Sequence, residues 1–342
     1  MSGPDAVEAA AGLLGGLARR DVPIGRLCTY GVGGPAALLV EAETPGQLDR
    51  LAEAVAATGV DVLVVGKGSN LLAADAGFPG LAVVLGRGFA AVAVEGTTVR
   101  AGAAALLPRV ARQSVREGLT GFEWAVGVPG AVGGAVRMNA GGHGSDMAAS
   151  LVAVELVDLA AGERRIVPAA ELALGYRRSA VATHHVVVEA TLALARGDTE
   201  AGERTVSEIV AWRRAHQPGG HNAGSVFTNP PGDSAGRLID AAGAKGLRVG
   251  TAEVSPKHAN FIQADDGGAA DDVATLMAEV RRKVAADAGV ELHAETRMVG
   301  FAAEVVAAAG AEPASGSPVT TPDDFLTPHP VTAVTRSEEG RQ

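Results

Sequence analysis

The stretch Gly127-Val-Pro-Gly-Ala-Val-Gly-Gly-Ala-Val-Arg-Met-Asn-Ala-Gly-Gly-His-Gly144 decides how this chain is read. An earlier loop belongs with it: Val64-Val65-Gly66-Lys67-Gly68-Ser69-Asn70-Leu71-Leu72. Glycine has no Cβ and tolerates positive φ, so runs of this kind let a backbone come very close to a partner. Successive exposed N–H groups suit a phosphate or pyrophosphate. The bland alternative is a set of ordinary turns in a chain rich in Gly and Ala. Neither loop fits the common nucleotide fingerprints. A Walker A loop needs a glycine five positions before Gly66, where Asp61 stands, and a Ser or Thr after Lys67, where Gly68 stands. The Rossmann spacing fails at Leu71, which occupies the place of its third glycine. A nucleotide-binding role therefore needs a different phosphate loop.

At 342 residues the chain has room for two or three domains and a sizeable core. Ala and Val carry much of its apolar content, so the cores are expected to be built of small side chains. The net charge of −10 argues against a broad nucleic-acid surface. An anionic ligand would need local positive charge set against that background. A single cysteine, Cys28, excludes an internal disulfide and a multi-cysteine metal site, and it suits a reducing cytoplasm. His216 and His221 lack cysteine or carboxylate partners at metal-ligand spacing, and His184-His185 reads as the start of a strand, so no metal site is expected. Asp5 and Glu8 precede the alanine-rich segment that ends in Arg19-Arg20, the reverse of signal-peptide order. No apolar run is long enough for a bilayer, so no membrane insertion is expected.

Along the chain, Thr44-Pro45-Gly46-Gln47 reads as a capping box with proline at the first helical position. Leu48, Leu51, Ala52 and Val55 follow at helical spacing and Gly59 stops the helix. A strand over 60–65 then delivers the Gly66 loop. Further strands are predicted over 81–85 and 185–194, with hairpins at 89–101 and 152–167. Helices are predicted over 106–117, from a capping box at Thr205-Val206-Ser207-Glu208 through His216, over 235–242, and from Asp271 to about Ala286. A strand is predicted over 259–263. Residues 1–20 read as a short helical lead-in or loose end, and 303–342 as a largely disordered tail.

Three later segments hold reactive groups. Tyr176-Arg177-Arg178-Ser179 lies before a strand, Gly224-Ser225-Val226-Phe227 places a hydroxyl between glycine and an apolar pair, and Leu292-His293-Ala294-Glu295-Thr296-Arg297 pairs a carboxylate with an arginine. Singly these are a solvated turn, an ordinary loop serine and a surface ion pair. In order and spacing, however, they join Thr29-Tyr30-Gly31-Val32-Gly33-Gly34-Pro35-Ala36, the two glycine loops, Met138-Asn139-Ala140-Gly141 and Lys257-His258-Ala259-Asn260-Phe261. Over roughly residues 20–302 the chain resembles the UDP-N-acetylenolpyruvoylglucosamine reductase family of flavoenzymes.

The resemblance implies an α+β fold, with a two-part FAD-binding domain of the vanillyl-alcohol-oxidase type and a smaller α/β substrate-binding domain. Its divisions are expected at 21–85 for the first FAD subdomain, completed by 290–302, at 86–213 for the second, and at 214–289 for the substrate domain. It implies NADPH-dependent reduction of an enolpyruvyl nucleotide sugar through non-covalent FAD, in a monomer or weak oligomer. Arg177, Ser225 and Glu295 match the catalytic positions. Gly66, Lys67, Gly68, Ser69, Asn70, Gly127, Val128, Pro129, Gly130, Gly133, Gly134, Ala135 and Asn139 match the cofactor loops, and Tyr176, Asn229 and Arg297 are expected to bind substrate. Two departures stand out: Thr228 and His216 occupy positions where many relatives have lysine. About fifty residues separate Arg177 from Ser225, which implies the shorter subtype without an extra tyrosine-bearing loop. Another FAD oxidoreductase on the same scaffold is the competing expectation. Covalent flavin attachment there would need His143 or Cys28, neither in a convincing context. A non-catalytic nucleotide-binding module is a third, and it would have no need of Ser225 or Glu295.

Overall fold

The computed structural model describes residues 3–312. Strands β1 (Ala18–Pro23), β2 (Pro35–Ala42), β3 (Val62–Val65), β4 (Leu71–Ala73) and β5 (Phe78–Leu85) belong to the N-terminal part. A four-stranded sheet runs in the order β1-β2-β5-β3, with β2, β5 and β3 parallel and β1 antiparallel at the edge. The parallel crossover from β2 to β3 is α2 (Pro45–Thr58), which forms where expected: Thr44 accepts the amide of Gln47, Leu48, Leu51, Ala52 and Val55 are buried, and Gly59 closes it in the left-handed conformation. The N-terminal residues are not a loose end. Helix α1 (Pro4–Leu14) buries Ala6, Val7, Ala10 and Leu14 in the same core as α2. Strand β1 begins at Ala18, so a boundary at residue 20 would cut through it.

A second sheet is antiparallel throughout. Strands β6 (Val92–Glu95), β7 (Thr98–Gly102), β8 (Leu151–Asp158), β9 (Glu163–Pro168) and β10 (His185–Ala193) take the order β9-β8-β10-β7-β6. Its core also buries the apolar stripe of α3 (Leu107–Arg116), and within the long glycine stretch the chain forms a short helix, α4 (Val132–Arg137). Helix α5 runs over Thr199–His216. Its start is six residues earlier than the Thr205 box predicts. Asp198 accepts the amide of Ala201 and caps it, while Thr205 and Ser207 lie mid-helix and donate their hydroxyls to Ala201 and Glu203 carbonyls one turn back.

The remaining chain forms α6 (Ala235–Ala241), a small antiparallel sheet of β11 (Arg248–Val249), β12 (Ala252–Val254) and β13 (Ile262–Ala264), and α7 (Ala270–Ala288). The strand expected over 259–263 starts only at Ile262, because Phe261 still closes a turn onto His258. Strand β14 (Arg297–Val299) then returns to pair in parallel with β4. Ordered chain continues beyond 302: α8 (Ala303–Ala308) packs Val306 and Ala309 into the C-terminal core, and Arg281 donates to the Ala307 and Ala308 carbonyls. The rest of the expected tail, 313–342, lies outside the described residues. This C-terminal core also takes Tyr30, Val32 and Leu72 from the first part, so it is not closed on itself.

Helix α7 has no capping side chain of its own, since its N-cap residue is Ala269. Asp75 supplies the cap from the β4–β5 loop, accepting the Ala270 amide at 2.9 Å and the Asp271 amide at 3.0 Å. Asp75→Ala is therefore expected to lower folding stability by about 0.5–2 kcal/mol, with Asp75→Asn retaining part of it. Urea denaturation checks this, and an unchanged midpoint for the alanine variant contradicts the cap.

Candidate active site

A cavity of about 520 Å³ opens where the Gly66 loop, the long glycine stretch and the C-terminal part meet. Strand β3 delivers Gly66–Asn70 to one wall. Gly68 is there for a backbone reason: its φ is +62°, and a Cβ would collide with the Leu27 carbonyl. The opposite wall is 127–131 with Gly134 and Ala135 of α4. A Cβ at Gly134 would meet no protein atom and would project into open space instead. Every expected cofactor-loop residue lines this cavity except Gly133, which lines a smaller adjoining cavity, and Asn139.

Asn139 is a correction to the expectation of cofactor contact. It is 3 % exposed and stands behind the wall. Its Nδ2 donates to Asp146 Oδ2 and to the Gly175 carbonyl, both at 3.1 Å, and its Oδ1 accepts the Ala148 amide at 2.9 Å. With those bonds made, its side chain braces the Gly175–Arg178 turn and has little left to offer a ligand. Arg177 sits in that turn at φ +57°, a conformation rare for a non-glycine residue.

Arg177 and Glu295 face each other across the cavity wall, with Nε 2.8 Å from Oε1. The contact is an ion pair more than a well-aligned hydrogen bond, because Arg177 Nε finds no properly directed acceptor. Arg177 Nη2 also reaches the Gly141 carbonyl at 3.3 Å, and the guanidinium lies 5.2 Å from the Tyr176 ring. Burial pushes the Glu295 carboxyl above its ordinary pKa, and the adjacent Arg177 guanidinium only partly opposes it. Ser225 stands on the same wall. The Glu295 amide donates to the Val226 carbonyl at 2.7 Å, so the serine and the carboxylate are carried on two paired segments.

Two expected substrate residues are elsewhere. Tyr176 is 55 % exposed and off the wall. Asn229 is also off the wall and accepts the Ala235 amide at the start of α6, which is a structural use. Arg297 is on the wall. The two departures from the common lysines lie outside it: Thr228 donates to the His293 carbonyl, and His216 stacks on Trp212 at 4.7 Å. Reading the sequence missed Arg137 and Arg213, which both line the cavity, and the Gln217–Gly220 run, which reads as a helix stop but forms part of the wall. The wall thus carries Lys67, Arg137, Arg177, Arg213 and Arg297 against one carboxylate, Glu295. In a chain of net charge −10 this is a concentrated anion site.

Residues 36–167 match the model of an FAD binding domain, and 216–299 match that of the UDP-N-acetylenolpyruvoylglucosamine reductase C-terminal domain. A UDP-N-acetylenolpyruvoylglucosamine reductase of Symbiobacterium thermophilum is 44 % identical over 83 % of this chain and 93 % of its own length. One from Heliobacterium modesticaldum is 42 % identical over 85 % of this chain and 93 % of its own. The crystal structure of the Thermus caldophilus enzyme superposes with a TM-score of 0.73 at 37 % identity, covering 82 % of this chain and 99 % of that one. The chain belongs to the UDP-N-acetylenolpyruvoylglucosamine reductase family.

The fold is accordingly an α+β FAD-binding body with the family's C-terminal domain. FAD is the family's cofactor and NADPH its reductant, and the glycine walls with their open Gly134 and surplus of cations fit an extended dinucleotide. A covalent link has no support in the geometry: neither Cys28 nor His143 lines the cavity, and burial pushes the Cys28 thiol up to about 12 while it donates to the Ile24 carbonyl. The interval from Arg177 to Ser225 is occupied by β10, α5 and their connections, with no additional domain or hairpin.

Arg177 is the one charge that holds down the Glu295 pKa, so Arg177→Met leaves burial unopposed. Glu295 is expected to titrate at higher pH in that variant, as read from the ¹³Cδ shift of labelled glutamate. A carboxyl whose folded pKa is raised destabilises the fold above that pKa and ceases to do so as pH falls through it. The stability deficit of Arg177→Met relative to the native protein should therefore be widest at alkaline pH and shrink on acidification. A Glu295 midpoint that is unchanged or lower contradicts the coupling.

Proposed function

We propose that this protein reduces UDP-N-acetylenolpyruvoylglucosamine to UDP-N-acetylmuramate with NADPH, in the cytoplasm, as a step in making peptidoglycan precursor. The observation that carries this reading is that Arg177, Ser225 and Glu295 line one cavity together with the glycine loops, and that its charge suits a nucleotide diphosphate. FAD, held by the glycine loops, would supply the redox chemistry that links NADPH to reduction of the enolpyruvyl double bond at C3.

The chain's own residues serve the rest of the reaction. Hydride addition to an enol ether that bears a carboxylate builds negative charge on that carboxylate and at C2. Groups placed to neutralise that charge lower the barrier only if they act more strongly in the transition state than on the ground state. In this reading the Arg177 guanidinium neutralises the developing charge. The half-strained turn braced by Asn139 aims it there without movement of the backbone. Glu295, with its carboxyl held toward the neutral form by burial, shares a proton with the substrate carboxylate in place of repelling it. Ser225 Oγ delivers the proton to C2. A hydroxyl is a weak acid, and the neighbouring guanidinium favours its transient anion. Arg297 and Arg213 are assigned to the anionic groups of the nucleotide sugar. Gly66–Asn70 and 127–135 are assigned to FAD.

The reading separates the two half-reactions. Ser225→Ala is expected to leave reduction of the flavin by NADPH near the native rate, and to slow reoxidation by UDP-N-acetylenolpyruvoylglucosamine on the order of 10²–10³-fold. Stopped-flow absorbance of the flavin measures both. Reoxidation at the native rate would remove Ser225 from the proton transfer, and a flavin-loaded native protein with no substrate-dependent NADPH consumption would overturn the function.

A further inference from the structure

Arg137 is the last residue of α4, and its carbonyl is fixed by the Ser179 hydroxyl at 2.6 Å. The other three arginines of the wall have protein partners. Arg177 pairs with Glu295, Arg213 donates to Gln217 Oε1 at 2.7 Å, and Arg297 lies 3.8 Å from Glu312. The Arg137 guanidinium makes no ion pair or hydrogen bond among the described residues. It is also poorly placed to stay charged alone: burial, and then the like charge of Arg297, push its pKa down to about 10. A guanidinium at that value is still a cation at neutral pH. A cation that is desolvated, beside another cation and without a carboxylate, is costly unless an anion completes it.

The position of Arg137 says where that anion lies. Behind the main cavity is a smaller one of about 130 Å³. The two share the end of β3 with the Gly66–Lys67 turn, Ala131, Gly134 and Arg137, and these mark the junction. Away from the shared residues the smaller cavity is lined by Leu85, Leu106, Val181 and Val187, with His185 as its one ionisable side chain, and it contains none of Arg177, Ser225, Glu295 or Arg297. The trough is therefore apolar at one end, cationic with bare backbone at the middle, and reactive at the other end. A dinucleotide has that sequence of parts, with its diphosphate in the middle. The nucleotide sugar would bring its diphosphate in on the Ser225 side, away from the junction.

We propose that Arg137 is the counter-charge for the diphosphate of bound FAD. It works with the backbone of the Gly66–Lys67 turn and adds a fixed guanidinium to the charge of Lys67 at the cofactor loop. The inference rests on FAD as the resident cofactor and is independent of the roles assigned to Arg177, Ser225 and Glu295.

Full-length holoenzyme with native Arg137, Arg137→Lys or Arg137→Met is diluted, and release of FAD is followed by recovery of its fluorescence, with and without ADP as a competitor. Loss of a charged hydrogen-bonding partner is expected to weaken FAD retention about 10–100-fold in Arg137→Met. Arg137→Lys should fall between, because it keeps the charge but loses the planar fork. ADP should compete at correspondingly higher concentration in the variants, since it carries the diphosphate without the flavin. In the FAD-saturated variants the midpoint potential of the flavin and the KM for the nucleotide sugar should match the native protein. FAD retention and ADP competition unchanged in both variants would overturn the proposal. So would a raised KM for the nucleotide sugar with FAD retention unchanged, which would give Arg137 to the substrate's diphosphate. A lowered flavin potential with unchanged ADP competition would give it to the flavin ring and equally overturn it. Should Arg137→Met fail to fold, Arg137→Lys carries the same readouts, and its loss of FAD retention with an unchanged KM supports the assignment.

Discussion

The site depends on a three-residue parallel ladder. Strand β14 runs beside β4 with Arg297 opposite Leu71 and Val299 opposite Ala73. Just before it, the Arg297 amide donates to the Asn70 carbonyl, and Asn70 Nδ2 donates to the Glu295 carbonyl at 3.0 Å. These partners are 225 positions apart in sequence. A contact of that separation costs loop-closure entropy before it returns anything. Here the return comes from burial, since Leu72, Ala73, Met298 and Val299 are all nearly inaccessible. Once the ladder forms, the rest of the site has little freedom. Glu295 is placed against the Gly66–Asn70 loop. Its amide bond to Val226 then places Ser225, and its carboxylate meets Arg177 from the second sheet. Asn70 thus has a structural duty, holding the C-terminal return, in addition to its place on the cofactor wall.

Charge is distributed with the same economy. The chain is acidic overall, yet five of its cations gather on one cavity and only one acid joins them. Such a cavity attracts phosphorylated ligands while the outer surface repels nucleic acid and other polyanions. The one acid is buried enough that its charged form is disfavoured. The Arg177 guanidinium beside it works in the opposite direction, so burial and charge compete at this one carboxyl.

What the sequence made legible was local or periodic. The Thr44 cap, the α2 stripe, the hairpins and the break at Gly59 are set by neighbours in the chain, and they appear within a few residues of expectation. The glycine loops announced a close approach, and their failure to fit two known spacings pointed to a third kind of cradle. The errors also have physical causes. Thr205 and Ser207 have cap chemistry, but an aspartate seven residues before Thr205 starts the helix, and propensity inside a helix is overridden once a cap exists. Helix α4 lies in a stretch whose glycines read as loop, because it is held by tertiary bonds from its first two amides, Val132 to the Ala105 carbonyl and Gly133 to the Ala103 carbonyl. Asn139 carries the composition of a ligand contact, and only the three-dimensional fate of its amide shows a brace. Arg137 stood in the quoted stretch itself and drew no notice, since one arginine among glycines signals nothing until its lack of a partner is seen.

The left-handed Arg177 is the most instructive local conflict. A β-strand or αR conformation there would relieve the backbone by an amount on the order of 1–3 kcal/mol, but it would turn the guanidinium away from Glu295. The turn is held instead by mutual bonds between Gly175 and Arg178, by Asn139 from below, and by the reach of Arg177 to the Gly141 carbonyl. Asn139 is itself left-handed, at φ +38°. Two left-handed residues therefore tie the glycine stretch to the Gly175–Arg178 turn, Asn139 through the Gly175 carbonyl and Arg177 through the Gly141 carbonyl. A chain under no demand at this point would put glycine at both positions. With side chains there, the amide ties the turn to the glycine stretch and the guanidinium reaches Glu295, two contacts that glycine could not make.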